Sequence, residues 1–156
     1  MTNEEHARIV ERIREHPFFR GFDEEFVESA CADAVERRFW AEEVLFREGS
    51  PSKNLFVILE GKVGLEVGSS DRPELTVQTV GPGEVIGWSW LVPPHRWRFD
   101  ARALKPTLTI ALDAENLRHT LSRRPEWGYQ FMIRFLPVLA ERLENTRIQL
   151  LDLHAR

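Results

Sequence analysis

The sequence predicts a mainly β fold: an antiparallel sandwich or barrel, preceded by short helices and closed by a long C-terminal helix. Three observations lead there. Apolar residues recur at helical intervals as far as Ala30. From Val35 their period falls towards two, in short segments bounded by Gly, Pro, Asp, Asn or Ser. After Asp113 the helical spacing returns and runs to Leu153. Residues 1–34 are therefore expected to form N-terminal helices, 35–113 the β region and 114–156 the C-terminal helices. A chain of 156 residues suits a single domain with a real core.

Each element has its own local reason. Ile9, Val10 and Ile13 line one side of a helix from Glu4 to His16, where Pro17 interrupts it. Phe18, Phe19 and Phe22 form an apolar cluster, and Asp23 caps a second helix carrying Phe26, Val27 and Ala30. The expected strands are Glu36–Trp40, Val44–Arg47, Leu55–Leu59, Lys62–Val67, Leu75–Val80, Trp97–Leu104 and Leu108–Leu112. Glu60-Gly61 reads as a tight turn between two of them, and Gly81-Pro82-Gly83 as another. Asp113 is the expected N-cap of Ala114–Leu121, and Pro125 opens a final helix through Leu153. Pro137 lies inside that helix and predicts a kink or a division.

Leu136, Leu139, Leu143, Thr146, Leu150 and Leu153 are spaced as a heptad seam with one polar member. The seam predicts a homodimer through a two-stranded coiled coil, with packing of the helix on its own barrel as the alternative. It is short, so a dimer needs further contacts.

Composition excludes several classes. Hydrophobic residues at 42% and charged residues at 29% fit a soluble globular protein. The N-terminus, with Thr2, Asn3, Glu4 and Glu5, lacks a signal-peptide apolar stretch, and no apolar run approaches the roughly 20 residues of a membrane span. Cys31 is the single cysteine, which rules out an internal disulfide framework and a cysteine-rich zinc site. Cytoplasm is the expected compartment. The net charge is −4, and Arg96, Arg98 and Arg102 alternate with aromatics and acids, so direct nucleic-acid binding is not expected. Of His6, His16, His95, His119 and His154, only His95 lies near the strands, which does not support a metal site. His95 and Cys31, as lone candidates for haem, read as structural. No nucleophile elbow, P-loop or dinucleotide fingerprint appears, so no catalytic residue and no enzymatic activity is expected. Asp100 reads as the partner of Arg98 or Arg102 in a structural ion pair.

Three local motifs carry a family resemblance. Phe46–Gly49 followed by Leu55–Val63 (LFVILEGKV), Gly83–Gly87 (GEVIG) and Arg142–Thr146 (RLENT) occur in order. Together they resemble the cyclic-nucleotide-binding domain of the catabolite activator and fumarate-nitrate regulator family, across residues 17 to 153. The resemblance implies an antiparallel double-stranded β-helix, or jelly roll, and a regulatory role. It also implies a phosphate-binding cassette entered at GEVIG. There, backbone N–H groups of a short helical turn meet the cyclic phosphate, a glutamate after the glycine accepts from the ribose hydroxyl, and an arginine pairs with the phosphate. Family transcription factors continue into a helix-turn-helix domain; this sequence ends at Arg156, and no DNA-binding domain is expected in it.

The sequence departs from the family pattern inside the cassette. After Gly87 the glutamate position holds Trp88, whose indole cannot accept a hydrogen bond from a ribose. Counting from Gly87 puts the phosphate arginine at Arg98, whereas counting back from Ala103 puts Trp97 there. Strand alternation sets Trp97, Phe99, Ala101 and Ala103 on one face and Arg98, Asp100 and Arg102 on the other. Pro93-Pro94 stiffens the loop between. The candidate pocket is Gly87, Trp88, Ser89, Trp90, Trp97, Arg98 and Phe99. Thr146 is added because the aligned threonine of the catabolite activator reaches the base, although its simpler role is coiled-coil register. No cofactor is certain. The leading expectation is a sensor whose rebuilt, aromatic pocket takes a small molecule other than ordinary cyclic AMP. The alternatives are a ligand-free, aromatic-filled barrel docking a protein partner through exposed Trp88, Trp90 or Trp97, and a weak cyclic-nucleotide binder.

Overall fold

The computed structural model describes residues 1–67 and 75–155; Arg156, the last residue of the expected C-terminal region, lies outside them. Helices α1 (Asn3–Glu15) and α2 (Glu24–Ala30) come first. Thr2 opens α1 with a reciprocal capping box to Glu5, and Asp23 caps α2 through the Glu25 N–H. Strands β1 (Val35–Phe39), β2 (Val44–Phe46), β3 (Asn54–Val67), β4 (Leu75–Val80), β5 (Val85–Ile86) and β6 (Asp100–Asp113) follow, then α3 (Ala114–Arg123) and α4 (Pro125–Ala155). Every strand pairing is antiparallel, and β3 and β6 run side by side along most of their length as the spine of a six-stranded sheet. An antiparallel β core with N-terminal helices and a long C-terminal helix is the predicted fold class.

Some boundaries differ from expectation. Glu60-Gly61 is not a hairpin turn: β3 passes straight through it with a register shift. Gly61, at φ +104°, lets the strand lie against the Pro106 carbonyl and Thr107, where a Cβ would collide. β6 is likewise continuous across Pro106, with Lys105 and Pro106 exposed. Trp97, Arg98 and Phe99 precede β6 and are not part of it. Pro137 sits within one helix and does not divide α4.

Both faces of the first half of β3 are buried, which accounts for its near-continuous apolar run. Leu55 and Val57 face the helical layer, where Phe19, Phe26, Trp127, Phe131 and Phe135 gather. Phe56 and Ile58 face the interior of the roll, with Phe46, Val63, Ile86, Trp97 and Ala101. Asp113 caps α3 through the Asn116 N–H, as expected. Asp100 does form an ion pair, but with Arg47 at 3.3 Å rather than with Arg98 or Arg102; it also accepts from the Glu48 N–H. Arg102 instead meets the buried Glu66. Cys31 is buried, and burial pushes its thiol up to about 12. No helix of the described residues is long and apolar enough to cross a membrane.

Candidate ligand site

The cassette begins where β5 ends. β5 pairs with β3 (Ile86 opposite Phe56), and the next residue, Gly87, turns the chain at φ +108°. A side chain is excluded there twice over: the backbone is left-handed, and a Cβ would lie 2.7 Å from the Trp97 indole. Trp97 thus covers Gly87 directly.

Trp97 is held on all sides. Its ring stacks on Phe46 with centroids 3.5 Å apart and planes 6° from parallel, and Phe56 and Phe99 lie at 6.3 and 6.5 Å. Its backbone exchanges hydrogen bonds with the β2–β3 connection: Gly49 N–H donates to the Trp97 carbonyl at 2.8 Å, and Trp97 N–H donates to the Ser50 carbonyl at 2.9 Å. Arg96, bridged to Pro51, adds a 2.7 Å bond to the Gly49 carbonyl. The indole is 4% exposed.

The other expected site residues separate into distinct settings. Trp90 faces the helical layer, not the roll. It is buried edge-on against Phe131, its indole N–H donates to the Gly87 carbonyl at 2.9 Å, and its own carbonyl accepts from Arg118. Trp88 is half-buried, and the exposed Arg98 places its guanidinium 5.4 Å from the Trp88 ring centre. Ser89 is buried, with no hydrogen-bond partner for its hydroxyl among the described residues. Phe99 is half-buried beside Phe46. Thr146 is exposed on α4, its hydroxyl donating to the Arg142 carbonyl one turn back. The structure therefore gathers Gly87, Trp97 and Phe99 on the inner side, sets the Trp90 ring in the helical layer with its indole N–H on the Gly87 carbonyl, and turns Arg98 out over Trp88. Exposed Trp90 or Trp97 as a protein-docking hot spot is corrected by their burial.

Two residues outside the expected set matter. Phe46 supplies the stacking face, and its place in an apolar strand before Gly49 was the available signal. Arg142, within RLENT, reaches from α4 to the Val85 carbonyl at the cassette entry. Its second terminal nitrogen is buried without a partner among the described residues, and burial lowers its pKa, offset in part by Glu84 and Glu141. Only the fold brings α4 against β5, so nothing local in the sequence marks this contact.

The indole of Trp97 fills the space over Gly87, the position after Gly87 offers no carboxylate, and the nearby cation, Arg98, lies over Trp88. Among the described residues no group of three or more His, Cys, Asp or Glu side chains converges to hold a metal.

Comparison with known proteins settles the relationship. The family described as the cyclic nucleotide-binding domain matches residues 36–124, from β1 to the end of α3. The chain belongs to that family. Its members are regulatory, non-enzymatic domains. A CRP-like cAMP-activated global transcriptional regulator of Mycobacterium tuberculosis is 30% identical over 109 residues, covering 70% of this chain and 47% of the relative. The chain thus spans about half the length of that relative. A cyclic nucleotide-binding domain from Methylobacillus flagellatus superposes with a TM-score of 0.78 at 24% identity, covering 95% of this chain and 85% of the other. The N-terminal domain of a transcriptional regulator from Streptomyces coelicolor A3(2) superposes with a TM-score of 0.62 at 32% identity, covering 88% and 94%. The family membership fixes the fold and the regulatory class; the cassette's own residues decide the ligand.

Proposed function

We propose that this chain is a regulatory domain of the cyclic-nucleotide-binding family that does not respond to ordinary cyclic AMP or cyclic GMP, because its own Trp97 occupies the chamber. The supporting observation is the indole seated on Gly87 and stacked on Phe46. A nucleotide entering here has to expel a buried aromatic ring that is worth several kcal/mol of burial. It then meets no carboxylate at Trp88. Calorimetric titration with cyclic AMP, cyclic GMP and cyclic dinucleotides tests this; micromolar heat from cyclic AMP overturns it.

The stack itself favours a second reading. A flat ring already lies against Phe46, so a planar small molecule other than cyclic AMP can take the same place if Trp97 swings out. Such a ligand raises Trp97 exposure on binding, which acrylamide quenching detects.

A homodimer through α4 belongs to the same proposal. Leu136, Leu143, Leu150 and Leu153 are exposed along one stripe of the helix, and a coiled-coil partner covers such a stripe.

A further inference from the structure

The slot that Trp97 fills is apolar on every wall described. Phe46 stacks on one face of the indole, Phe56 and Phe99 flank it, and Ile86, Leu65 and Ala101 belong to the same inner cluster. Strand alternation sends the charges of β3 and β6 to the opposite face. There Glu66 pairs with Arg102, and Asp100 pairs with Arg47. Arg98 lies over Trp88. Arg37, on the same side of β1 as Phe39, stays exposed at the sheet edge, with its guanidinium 5.2 and 6.0 Å from the Phe39 and Phe56 ring centres.

The backbone around the slot is already engaged. The Gly87 carbonyl accepts from the Trp90 indole, and the N–H and carbonyl of Trp97 are both bonded to the Gly49–Ser50 segment. One residue back, Arg96 holds the Gly49 carbonyl, and before it the His95 carbonyl accepts from the Ser52 N–H at 2.8 Å. The segment bearing Trp97 is thus fixed, and its side chain is the part left to move. Rotation about the Cα–Cβ bond empties the slot with the backbone in place. The space vacated is flat, the size of an indole, and set in an interior where extra volume and unpaired charge are both costly.

We propose that the chamber's ligand is a neutral, planar molecule of two fused aromatic rings with a largely apolar edge. This rests on the reading in which Trp97 swings out, and it names what takes the ring's place. Two fused rings match the displaced indole in area and thickness, and they recover its stack on Phe46 and its contacts with Phe56 and Phe99. A phosphate, carboxylate or ammonium finds no partner among the described residues of the slot, and burying one unpaired costs more than the stack gains. The polar edge of a purine is likewise left without hydrogen bonds.

Calorimetric titration of Trp97→Ala with indole, adenine, indoleacetate and tryptamine tests the preference. An apolar cavity left by a large side chain takes up a neutral aromatic of its size, so indole should bind. It should bind about tenfold or more tighter than each of the others. The native chain supplies a second arm. Benzofuran, neutral and two-ringed, should raise the fraction of tryptophan open to acrylamide; benzofuran carboxylate should not, and Trp97→Phe should abolish the rise. If Trp97→Ala does not fold, this arm decides alone. The proposal is overturned if folded Trp97→Ala does not bind indole, or if adenine or tryptamine binds it as tightly. It is also overturned if indoleacetate matches indole, or benzofuran carboxylate matches benzofuran, because Arg37 then serves the chamber. Indole bound by Trp97→Ala with no change in the native chain refutes the displacement of Trp97 and leaves the preference for neutral rings standing.

Discussion

Trp97 lies face to face on Phe46, 3.5 Å between ring centres, with its far edge against the Cα of Gly87. Gly87 is therefore kept free of a side chain by the protein's own tryptophan as well as by its backbone angle. The cassette's glycine serves aromatic packing here. Phe46, Phe56 and Phe99 complete an aromatic floor that leaves the roll's interior occupied.

The stack predicts a graded cost for alanine at two glycines. Gly49→Ala introduces a Cβ into open space at φ +86° and pays only for the backbone, about 1–2 kcal/mol. Gly87→Ala suffers the same strain plus the clash with Trp97, which adds about 1–3 kcal/mol. Urea unfolding should therefore place Gly87→Ala clearly below Gly49→Ala. In a Trp97→Leu background the excess should vanish, because the two sites then no longer share a contact. Equal losses at both glycines would show that Trp97 does not sit where it is described.

These glycines also show how far the sequence reaches. Alternation correctly set Trp97, Phe99, Ala101 and Ala103 on the inner side, although Trp97 and Phe99 precede β6. Gly61 was misread as a turn. A glycine before a charged residue suits a hairpin and a bulge equally, and the choice depends on Thr107 and Pro106, which lie far along the chain. The ambiguity between Trp97 and Arg98 over the phosphate position yields to geometry: Trp97 meets Gly87, and Arg98 meets Trp88. The expected strand Glu36–Trp40 took in Trp40, whereas β1 ends at Phe39, because the following turn is pinned by Ala103 and Arg102.

Fluorescence separates the tryptophans. Trp90, Trp97 and Trp127 are buried, Trp88 is half-buried, and Trp40 is exposed. Acrylamide quenching should give a downward-curved plot with a minor accessible fraction, and Trp40→Phe should remove most of that fraction. Strong quenching that survives Trp40→Phe would mean that the chamber is open in solution.

His16 predicts a pH dependence of stability. It is buried; its Nδ1 accepts the Phe18 N–H at 3.2 Å, so Nε2 carries the proton and donates to the Ile58 carbonyl at 3.0 Å. Burial lowers its pKa below the ordinary 6.5, against the smaller opposing effect of the Ile58 bond. Above 6.5 the ring is neutral in both states and its full contribution is present. As the pH falls below 6.5 the unfolded chain takes up the proton first, so stability is lost progressively down to the lowered folded value. Denaturation midpoints measured from pH 7.5 down to about 5 should show this loss, and His16→Gln should reduce its slope. A slope unchanged by the substitution would assign the effect to other groups.

The α4 stripe predicts that association and folding can be separated. Leu143 is 71% exposed within a single chain, so Leu143→Lys should shift the unfolding of a lone chain by no more than about 0.5 kcal/mol. If the stripe pairs with a second copy, the same change places an ammonium in a heptad core and breaks the pair. Thr146→Leu should act in the opposite sense. Among the described residues its hydroxyl bonds only to the Arg142 carbonyl on its own helix, so replacing it removes the polar break in the seam and tightens association. Light scattering should then give a mass near twice 18.2 kDa for the native chain and for Thr146→Leu, and a mass near 18.2 kDa for Leu143→Lys. A native mass of 18.2 kDa would leave the exposed leucines without a second copy and refute the dimer.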